Sequence, residues 1–266
     1  MTDRLFSYTH PYTNPKVTGQ NEVWVSIPAM NASVNTKFSS VGNSNVNFKL
    51  ASTSHFPRTH QTYLDMTVVP KLADGMTATG GTAVCTAQSV SRCFNKITLR
   101  SGSSIIEEFQ YDEIVGLHLG TGMTVGKRNW LKLMEGHGDT APFTNGKRKF
   151  CMQIFSSIFT QEQAIPLPAL TGGLEVVFQV ANVENVFLNN AVQEFVIETP
   201  ALRSCFIAPD NSFVIAMRVA LQAGRSVLLP LSEIRTFNHY GNNSDKQVLT
   251  CAIGSYNSID SVITTL

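Results

Sequence analysis

Residues 165–203 read IPLPALTGGLEVVFQVANVENVFLNNAVQEFVIETPALR, and their reading decides the fold. Within them Leu174, Val176, Phe178 and Val180 alternate with Glu175, Val177 and Gln179. One apolar face and one mixed face at a period of two is what a strand with one buried side requires. Pro166, Pro168 and the pair Gly172-Gly173 stand before that strand and exclude a helix. A polar loop follows, then a second β-rich run over 194–198, which Thr199-Pro200 is expected to close. The chain before this stretch reads as one complete β-domain, and the chain after it as the beginning of another.

The same alternation recurs outward in both directions. Val23, Val25 and Ile27 alternate with Trp24 and Ser26 up to Pro28, and Val46, Phe48 and Leu50 with Asn47 and Lys49. Leu64, Met66 and Val68 alternate with Tyr63, Asp65 and Thr67, in a strand that Pro70 is expected to stop before the turn pair Asp74-Gly75. At 96–100 the pattern is cleanest: Ile97 and Leu99 face inward, Lys96, Thr98 and Arg100 outward, and Ser101-Gly102 turns the chain into a run around Ile105 and Ile106. Asn145-Gly146 is a tight-turn signal, after which Phe150, Met152 and Ile154 share a side. Further strands are expected over 205–208, 227–231, 234–237, 248–253 and 259–263. Helical signals are few. Short helices are expected over 110–119 and 125–135, the second grouping Trp130, Leu131 and Met134. Asp210 can cap another that carries Phe213, Met217, Ala220 and Leu221 on one side and ends at Gly224. Many short strands separated by Gly, Pro and Asn turns, with no short internal repeat, predict an all-β fold of the sandwich or jelly-roll type.

Composition narrows the function classes. A formal net charge of +1 over 266 residues gives no electrostatic case for a nucleic-acid or membrane-surface protein. Charged residues are 15% of the chain, below the usual quarter or so, while small polar residues are abundant. Such surfaces suit long β-sheet loops and contacts with further copies of the same chain. The five cysteines, Cys85, Cys93, Cys151, Cys205 and Cys251, have neither metal nor redox spacing, so reduced and mostly buried thiols are expected. The N-terminus lacks the apolar core of a signal peptide, and no run approaches the roughly 18 apolar residues of a membrane span, which together predict a soluble protein.

No catalytic constellation emerges. In Gly120-Thr-Gly-Met-Thr-Val-Gly126-Lys127, a phosphate loop would need glycine where Thr121 stands and Ser or Thr where Arg128 stands, so a turn is the better reading. His10, His55, His60, His118, His137 and His239 never fall at metal-ligand spacing. His137-Gly-Asp139 has no nucleophile elbow to serve. Of the acidic pairs Glu107-Glu108 and Asp112-Glu113, the first sits on a strand where neighbours point apart, and a solvated pair is expected. Lys147-Arg-Lys149 lacks the interleaved aromatics of a nucleic-acid platform. Asn31-Ala-Ser33 and Asn242-Asn-Ser244 match the glycosylation pattern without any sign of secretion. No catalytic, cofactor-binding or metal residue is therefore assigned, and no cofactor.

Three stretches carry a family resemblance: the Ile165-Pro-Leu-Pro lead-in, Gly172-Gly-Leu-Glu-Val-Val-Phe-Gln-Val180, and Val196-Ile-Glu-Thr-Pro-Ala-Leu-Arg203. With Phe94-Asn-Lys-Ile-Thr-Leu-Arg-Ser-Gly102 and Ile106-Glu-Glu-Phe109 upstream, and Gly224-Arg-Ser-Val-Leu-Leu-Pro230 and Ser258-Ile-Asp-Ser-Val262 downstream, the chain resembles the double jelly-roll major capsid proteins of DNA viruses. Members of that family occur in tailless phages, virophages, polinton-like viruses and large eukaryotic DNA viruses. The resemblance implies a non-enzymatic structural virion protein whose copies form trimeric, pseudo-hexameric capsomers of an icosahedral shell. It implies an extended N-terminal arm over 1–20, a first jelly roll over 21–192, and the start of a second over 193–266. That last stretch is short for eight strands, so the second roll is expected to be incomplete or reduced in this chain. The implied partners are other copies of the chain, minor capsid or penton proteins and an internal membrane layer, with no sequence-specific nucleic acid. The implied location is the virion, after synthesis in the host cytoplasm or nucleus. Two alternatives stand beside it. A single jelly-roll minor capsid or penton protein would share the strand pattern and form pentamers. A carbohydrate-binding sandwich would need a face of exposed aromatics, for which Trp24 and Trp130 are too few and too scattered.

Overall fold

Leu174, Val176, Phe178 and Val180 are fully buried, and Glu175, Val177 and Gln179 between them are not, so the alternation is a strand lying with its apolar face on the core. The structure, a computed structural model, describes residues 21–32, 37–42, 44–52, 54–79, 82–83, 90–110, 125–136, 143, 145–154, 156–160, 164–170, 172–188 and 190–224. The arm over 1–20, the expected helix beyond Gln110 and the strands expected from Val227 onward lie outside these residues. So do Cys85 and Cys251.

Among the described residues nine strands build two antiparallel sheets. They are β1 (Asn21–Pro28), β2 (Lys37–Ser39), β3 (Asn45–Leu50), β4 (Phe56–Leu72), β5 (Phe94–Ser101), β6 (Ser104–Gln110), β7 (Arg148–Gln153), β8 (Leu174–Val180) and β9 (Val192–Ala208). The first sheet runs β1-β9-β4-β7, with the short β2 continuing the line of β1 along β9; the second runs β3-β8-β5-β6. This order is that of one long hairpin rolled up. With the tight β5–β6 turn as its tip, β4 meets β7, β3 meets β8 and β1 meets β9, and all four pairs are present. Rolling the ribbon then brings β9 onto β4 and β8 onto β5, the two remaining pairings. The fold is a jelly-roll β-sandwich, and its eight long strands are complete within residues 21–208. At the tip Ser101 pairs with Ser104, and Gly102 takes the positive φ of 58° that a two-residue hairpin turn demands.

Two proline expectations need correction. β4 does not stop at Pro70 but runs on to Leu72: it stays paired with β9 through Pro70–Phe195, and where β7 ends at Val68 the returning chain takes over the other edge, Ala78 N–H donating to the Pro70 carbonyl at 2.9 Å and Lys71 bridging to Thr77. Nor do Thr199 and Pro200 close a strand. They lie inside the 17-residue β9, where Thr199 and Pro200 together face Met66 alone, between the pairs Asp65–Ala201 and Thr67–Glu198. That is a bulge, one of the places within a sheet where a proline is tolerated, and Thr199 adopts φ 48° to form it. On the other side of β9 the bulge separates the partners: β1 takes 201–208 and β2 takes 196–198. The boundary expected at 192/193 therefore falls at the start of β9, and residues 192–208 are the closing strand of the first sandwich.

Two helices flank the first sheet. α1 (Val125–Glu135) lies beside β7, with Leu131 buried and Trp130 tilted against Tyr63 at 6.0 Å between ring centroids. α2 (Asn211–Gln222) is capped by Asp210, whose Oδ1 accepts from the Ser212 N–H at 3.1 Å. It lays Phe213 and Met217 on Phe56 and Ile207. The chain thus leaves the sandwich on the outer face of the first sheet.

Between the sheets Phe178 is the pivot. Phe48 meets it edge-on at 5.8 Å and Phe94 at 5.0 Å, and all three rings are fully buried. A second aromatic chain, Phe150, Phe143, Phe187 and Phe195, closes one end with successive centroids 5.6–6.1 Å apart. Removing the central ring leaves a cavity that three strands cannot collapse into. Phe178→Ala is expected to cost about 3–5 kcal/mol in urea unfolding, whereas a loss under about 1 kcal/mol would show that the core is not packed around this ring.

Candidate functional site

The sandwich offers three kinds of surface: the outer faces of its two sheets and its loop-bearing ends. On the outer face of the first sheet, strand alternation lines up Glu22 with Arg58, Asp65 with Arg203 and Lys149, and Lys37 with Glu198. The Arg58–Glu22 and Lys37–Glu198 contacts are 2.6 and 2.9 Å. Asp65 is the centre of this face. Asp65 is itself buried, and its Oδ2 accepts from Arg203 Nε at 2.7 Å and Lys149 Nζ at 3.0 Å, so one carboxylate joins β9, β4 and β7. The outer face of the second sheet is built alike: Glu175 sits between Lys49 at 3.7 Å and Arg100 at 2.7 Å, and Glu108 pairs with Lys96 at 2.7 Å. Cation faces anion across neighbouring strands on both sides. The more exposed pairs, Lys37–Glu198 and Lys96–Glu108, are worth about 0–1 kcal/mol each and contribute strand register more than stability.

Apolar exposure concentrates elsewhere. The pairing register sends the loops after β1, β2, β4 and β8 to the same end of the sandwich. Each of the four exposes one large apolar side chain: Met30, Val41, Met76 and Leu188, all at 60–66%. Two of these loops are fastened to strand starts of the second sheet, Asn31 Nδ2 donating to the carbonyl of Asn45 in β3 at 2.6 Å and Asn185 Nδ2 to Oδ1 of Asn95 in β5 at 3.1 Å. Four apolar side chains from four sequence-distant loops on one end make a surface suited to contact with another protein rather than to chemistry.

The residues singled out in the sequence are dispersed. His55 Nδ1 lies 2.9 Å from the Ser54 hydroxyl, and among the described residues no three His, Cys, Asp or Glu side chains converge as a metal site. Of the glycine-rich motif only Val125, Gly126 and Lys127 are described, and they open α1. His10, His118, His137, Asp139, His239 and the Asp112-Glu113 pair lie outside the described residues. The basic run Lys147-Arg148-Lys149 is split by strand alternation: Lys149 turns to Asp65, while Arg148 lies over the Phe150 ring and donates to the Leu133 carbonyl at 3.3 Å. Cys93 and Cys205 are buried, and burial together with the Asp65 and Glu135 charges pushes the half-buried Cys151 thiol up to about 11, so no thiolate nucleophile is present there.

Glu107 is a correction. It was expected in solvent with Glu108, yet it is buried on the core face of β6 opposite Leu99 while Glu108 stays outside. The alternation that separates the two necessarily sends one of them inward. Glu107 Oε1 accepts from the Ser157 N–H at 3.1 Å and from the Ser157 hydroxyl, capping the helical turn Ser157–Thr160; Oε2 has no hydrogen-bond partner. The same turn is anchored from β4, where the Thr59 hydroxyl donates to the Ile158 carbonyl at 2.5 Å. The signal in the sequence was Ser156-Ser157 fifty residues downstream, and nothing local announces such a pairing.

No protein-family model and no curated protein matches the chain. Solved structures do. VP54 of PBCV-1, as fitted into a cryo-EM reconstruction of the virophage Sputnik, aligns with a TM-score of 0.50 and 15% identity over 74% of this chain and 44% of that one. The quasi-atomic model of the PBCV-1 virus capsid gives the same values. The cryo-EM structure of the Sputnik virophage itself aligns at a TM-score of 0.46 and 12% identity, over 77% of this chain and 51% of that one. This chain spans less than half the length of the PBCV-1 chains. The likeness to them shows the fold, which is that of jelly-roll capsid proteins from a large DNA virus, in agreement with the resemblance seen in the sequence.

Glu107 gives this placement a pH signature. Burial raises its pKa above the ordinary carboxyl value, and the hydrogen bonds from Ser157, Ile158 and Ser156 only partly oppose that. A raised folded pKa means stability that is fully present below the unfolded value and lost as pH rises through the folded one. Glu107→Gln keeps an acceptor for Ser157 but cannot ionise. Its stability relative to the parent should therefore improve from about pH 4 to about pH 8 in denaturant titrations, and a constant or falling difference would place Glu107 in solvent.

Proposed function

We propose that this chain is a structural virion protein, a major capsid protein whose copies form trimeric, pseudo-hexameric capsomers of an icosahedral shell, with no enzymatic role. The observation that carries it is the strand order β1-β9-β4-β7 facing β3-β8-β5-β6, together with its likeness to the PBCV-1 capsid structures. The surfaces support the same reading. On both outer faces each named carboxylate is held by one or two cations of neighbouring strands, and four exposed apolar side chains, Met30, Val41, Met76 and Leu188, sit in loops of one end, where neighbouring copies could meet them. Many modest contacts of this kind let subunits associate reversibly before a lattice closes, each contact closing by rotation about the capsomer axis. Jelly rolls also serve as lectin and cupin domains. A cupin-like metal centre has no convergent ligands among the described residues. A sugar-binding face needs several exposed aromatics together; among the described residues Trp24 is exposed without another beside it in the exposed set, and Trp130 is partly covered against Tyr63.

A second reading, a single jelly-roll minor capsid or penton protein, is favoured by one observation: the described strands make one complete roll within 21–208. Under the major-capsid reading, residues 209–266 lead into a second roll, and minor capsid proteins and an internal membrane layer are the further partners in the virion. The native mass of the purified chain separates the two. Light scattering is expected to give a trimer, or particles that dissociate to trimers; a pentamer would select the penton reading, and a monomer that persists on concentration would remove both. Within the major-capsid reading, residues 1–20 tie capsomers together. Their deletion is expected to leave trimers intact and impair shell formation in an assembly assay, and normal shells would remove that role for the arm.

A further inference from the structure

The two sheets have four long edge strands, and among the described residues three of them are guarded. At β3 the loop after β1 takes the free backbone groups. Met30 N–H donates to the Asn47 carbonyl at 2.7 Å, Asn31 Nδ2 to the Asn45 carbonyl at 2.6 Å, and Asn47 N–H to Asn31 Oδ1 at 3.1 Å. At β7 the buried Glu135 carboxylate accepts from the Gln153 N–H at 2.8 Å. β6 carries a bulge at Ile106, between the pairs Leu99–Glu107 and Arg100–Ile105, and the exposed carboxylate of Glu108. Blocking side chains, bulges and edge charges are how sheets avoid stray pairing. β1 is built differently. Its register on β9 is unbroken from Asn21–Ala208 to Pro28–Ala201, it holds no lysine, and its one proline stands at its last position. Its one carboxylate, Glu22, is engaged by Arg58 of the same sheet. Val23, Trp24 and Val25 are 46%, 57% and 39% exposed, on both faces of the strand, although their β9 partners Phe206, Cys205 and Ser204 are buried.

We infer that β1 pairs edge to edge with β1 of a second copy of this chain, antiparallel, about a two-fold axis at Trp24. The strand is self-complementary in that register. Trp24 meets Trp24, Val23 and Val25 meet each other twice, and Glu22 meets Ser26, so apolar faces apolar and no carboxylate faces another. Both valine pairs lie on the face that Ile27 continues onto the core, so the core side of one copy runs on into that of the other. A slip of one residue would turn one copy's core face outward, and a slip of two toward the N-terminus would set Glu22 against Trp24. A two-fold contact is isologous: each copy offers the same patch. Two eight-residue edges bury well under the roughly 1,200 Å² of a stable interface, so the pairing is weak alone and adds to other contacts between copies.

This inference does not rest on the capsid reading; within that reading, a two-fold contact joins copies of different trimers. The test is disulfide trapping in the full-length chain, which captures weak pairing. Trp24→Cys and Glu22→Cys are oxidised mildly beside the parent, whose native thiols set the baseline. Both positions are exposed on an edge strand, so the core is untouched, and matching urea midpoints check this. Position 24 faces itself with Cα atoms about 4.5–5.5 Å apart, within reach of a disulfide. Position 22 lies four residues out of step with its copy, about 14 Å away and beyond that reach. Disulfide dimers several-fold above baseline for Trp24→Cys, and baseline for Glu22→Cys, are the expected result. Adding Val23→Lys and Val25→Lys to the Trp24→Cys chain sets lysine opposite lysine and is expected to abolish the link. Equal linking of both cysteine variants would mean random collision and overturn the proposal. Baseline in both, as when another segment occupies the edge, would overturn it equally, as would a link that survives the lysines. A trimer whose Trp24→Cys form stays unlinked removes this contact and leaves the capsomer; linked dimers from a chain that never forms trimers do the reverse.

Discussion

The pairing of β4 with β9 is the constraint on which the rest of the sandwich depends. Both strands are 17 residues long, and each is flanked on its other side by a different strand, β7 on β4 and β1 with β2 on β9. Every long-range pairing in the first sheet therefore passes through this one ladder. Strands of that length twist, and a straight pair of them could not cover a small core without splaying. The three register shifts along the ladder, at Arg58/Thr62, Asp65/Thr67 and Lys71/Leu72, release that twist in steps. The central shift places Thr199-Pro200 where β1 gives way to β2, so one local irregularity bends the strand and divides its outer edge between two partners.

Such a ladder is also slow to form. β1 finds its partner only when residues 201–208 exist, and β2 only when 196–198 do. Loop closure over so long a stretch is unfavourable until the nested pairs inside it are made. The nesting supplies the order: the β5–β6 tip is local, β4–β7 and β3–β8 enclose it, and β1–β9 closes last. The glycines stand where this closure is tightest. Gly173 leads into β8 at φ 80°, and a Cβ there would stand 2.7 Å from the Leu50 carbonyl oxygen, so only glycine lets β8 start beside the end of β3.

How much of this was legible follows from what each signal measures. Alternation reports a strand with one face on the core, and it placed Val46, Phe48 and Leu50, Ile97 and Leu99, and Phe150, Met152 and Ile154 on the buried side, where they lie. Capping chemistry is local, so Asp210 and Gly224 marked α2 correctly. Proline reports only a missing N–H; whether that matters depends on what lies beside it. At Pro70 the β9 ladder continues and the returning chain needs only the proline's carbonyl, and Pro200 sits within a bulge, so both strands continue through positions that read as stops. The proline also made one strand read as two, over 194–198 and 205–208, and the expected boundary at 192/193 stands at the start of that single strand, which pairs within the first sheet. Glu107 escaped because its justification is fifty residues away in Ser157, and the surface ladders escaped because charge pairing across strands needs register, which a single strand does not contain.

The two sheets also divide their work along one axis. Charges are paired across the faces, with Asp65 holding Arg203 and Lys149, and Glu175 holding Lys49 and Arg100. Apolar side chains gather at one end in Met30, Val41, Met76 and Leu188 and, on the first sheet, around Trp24 and α2. With each named carboxylate on these faces held by cations of neighbouring strands, whatever selects one partner over another there is short-range: the fit of apolar loops and the register of a strand edge.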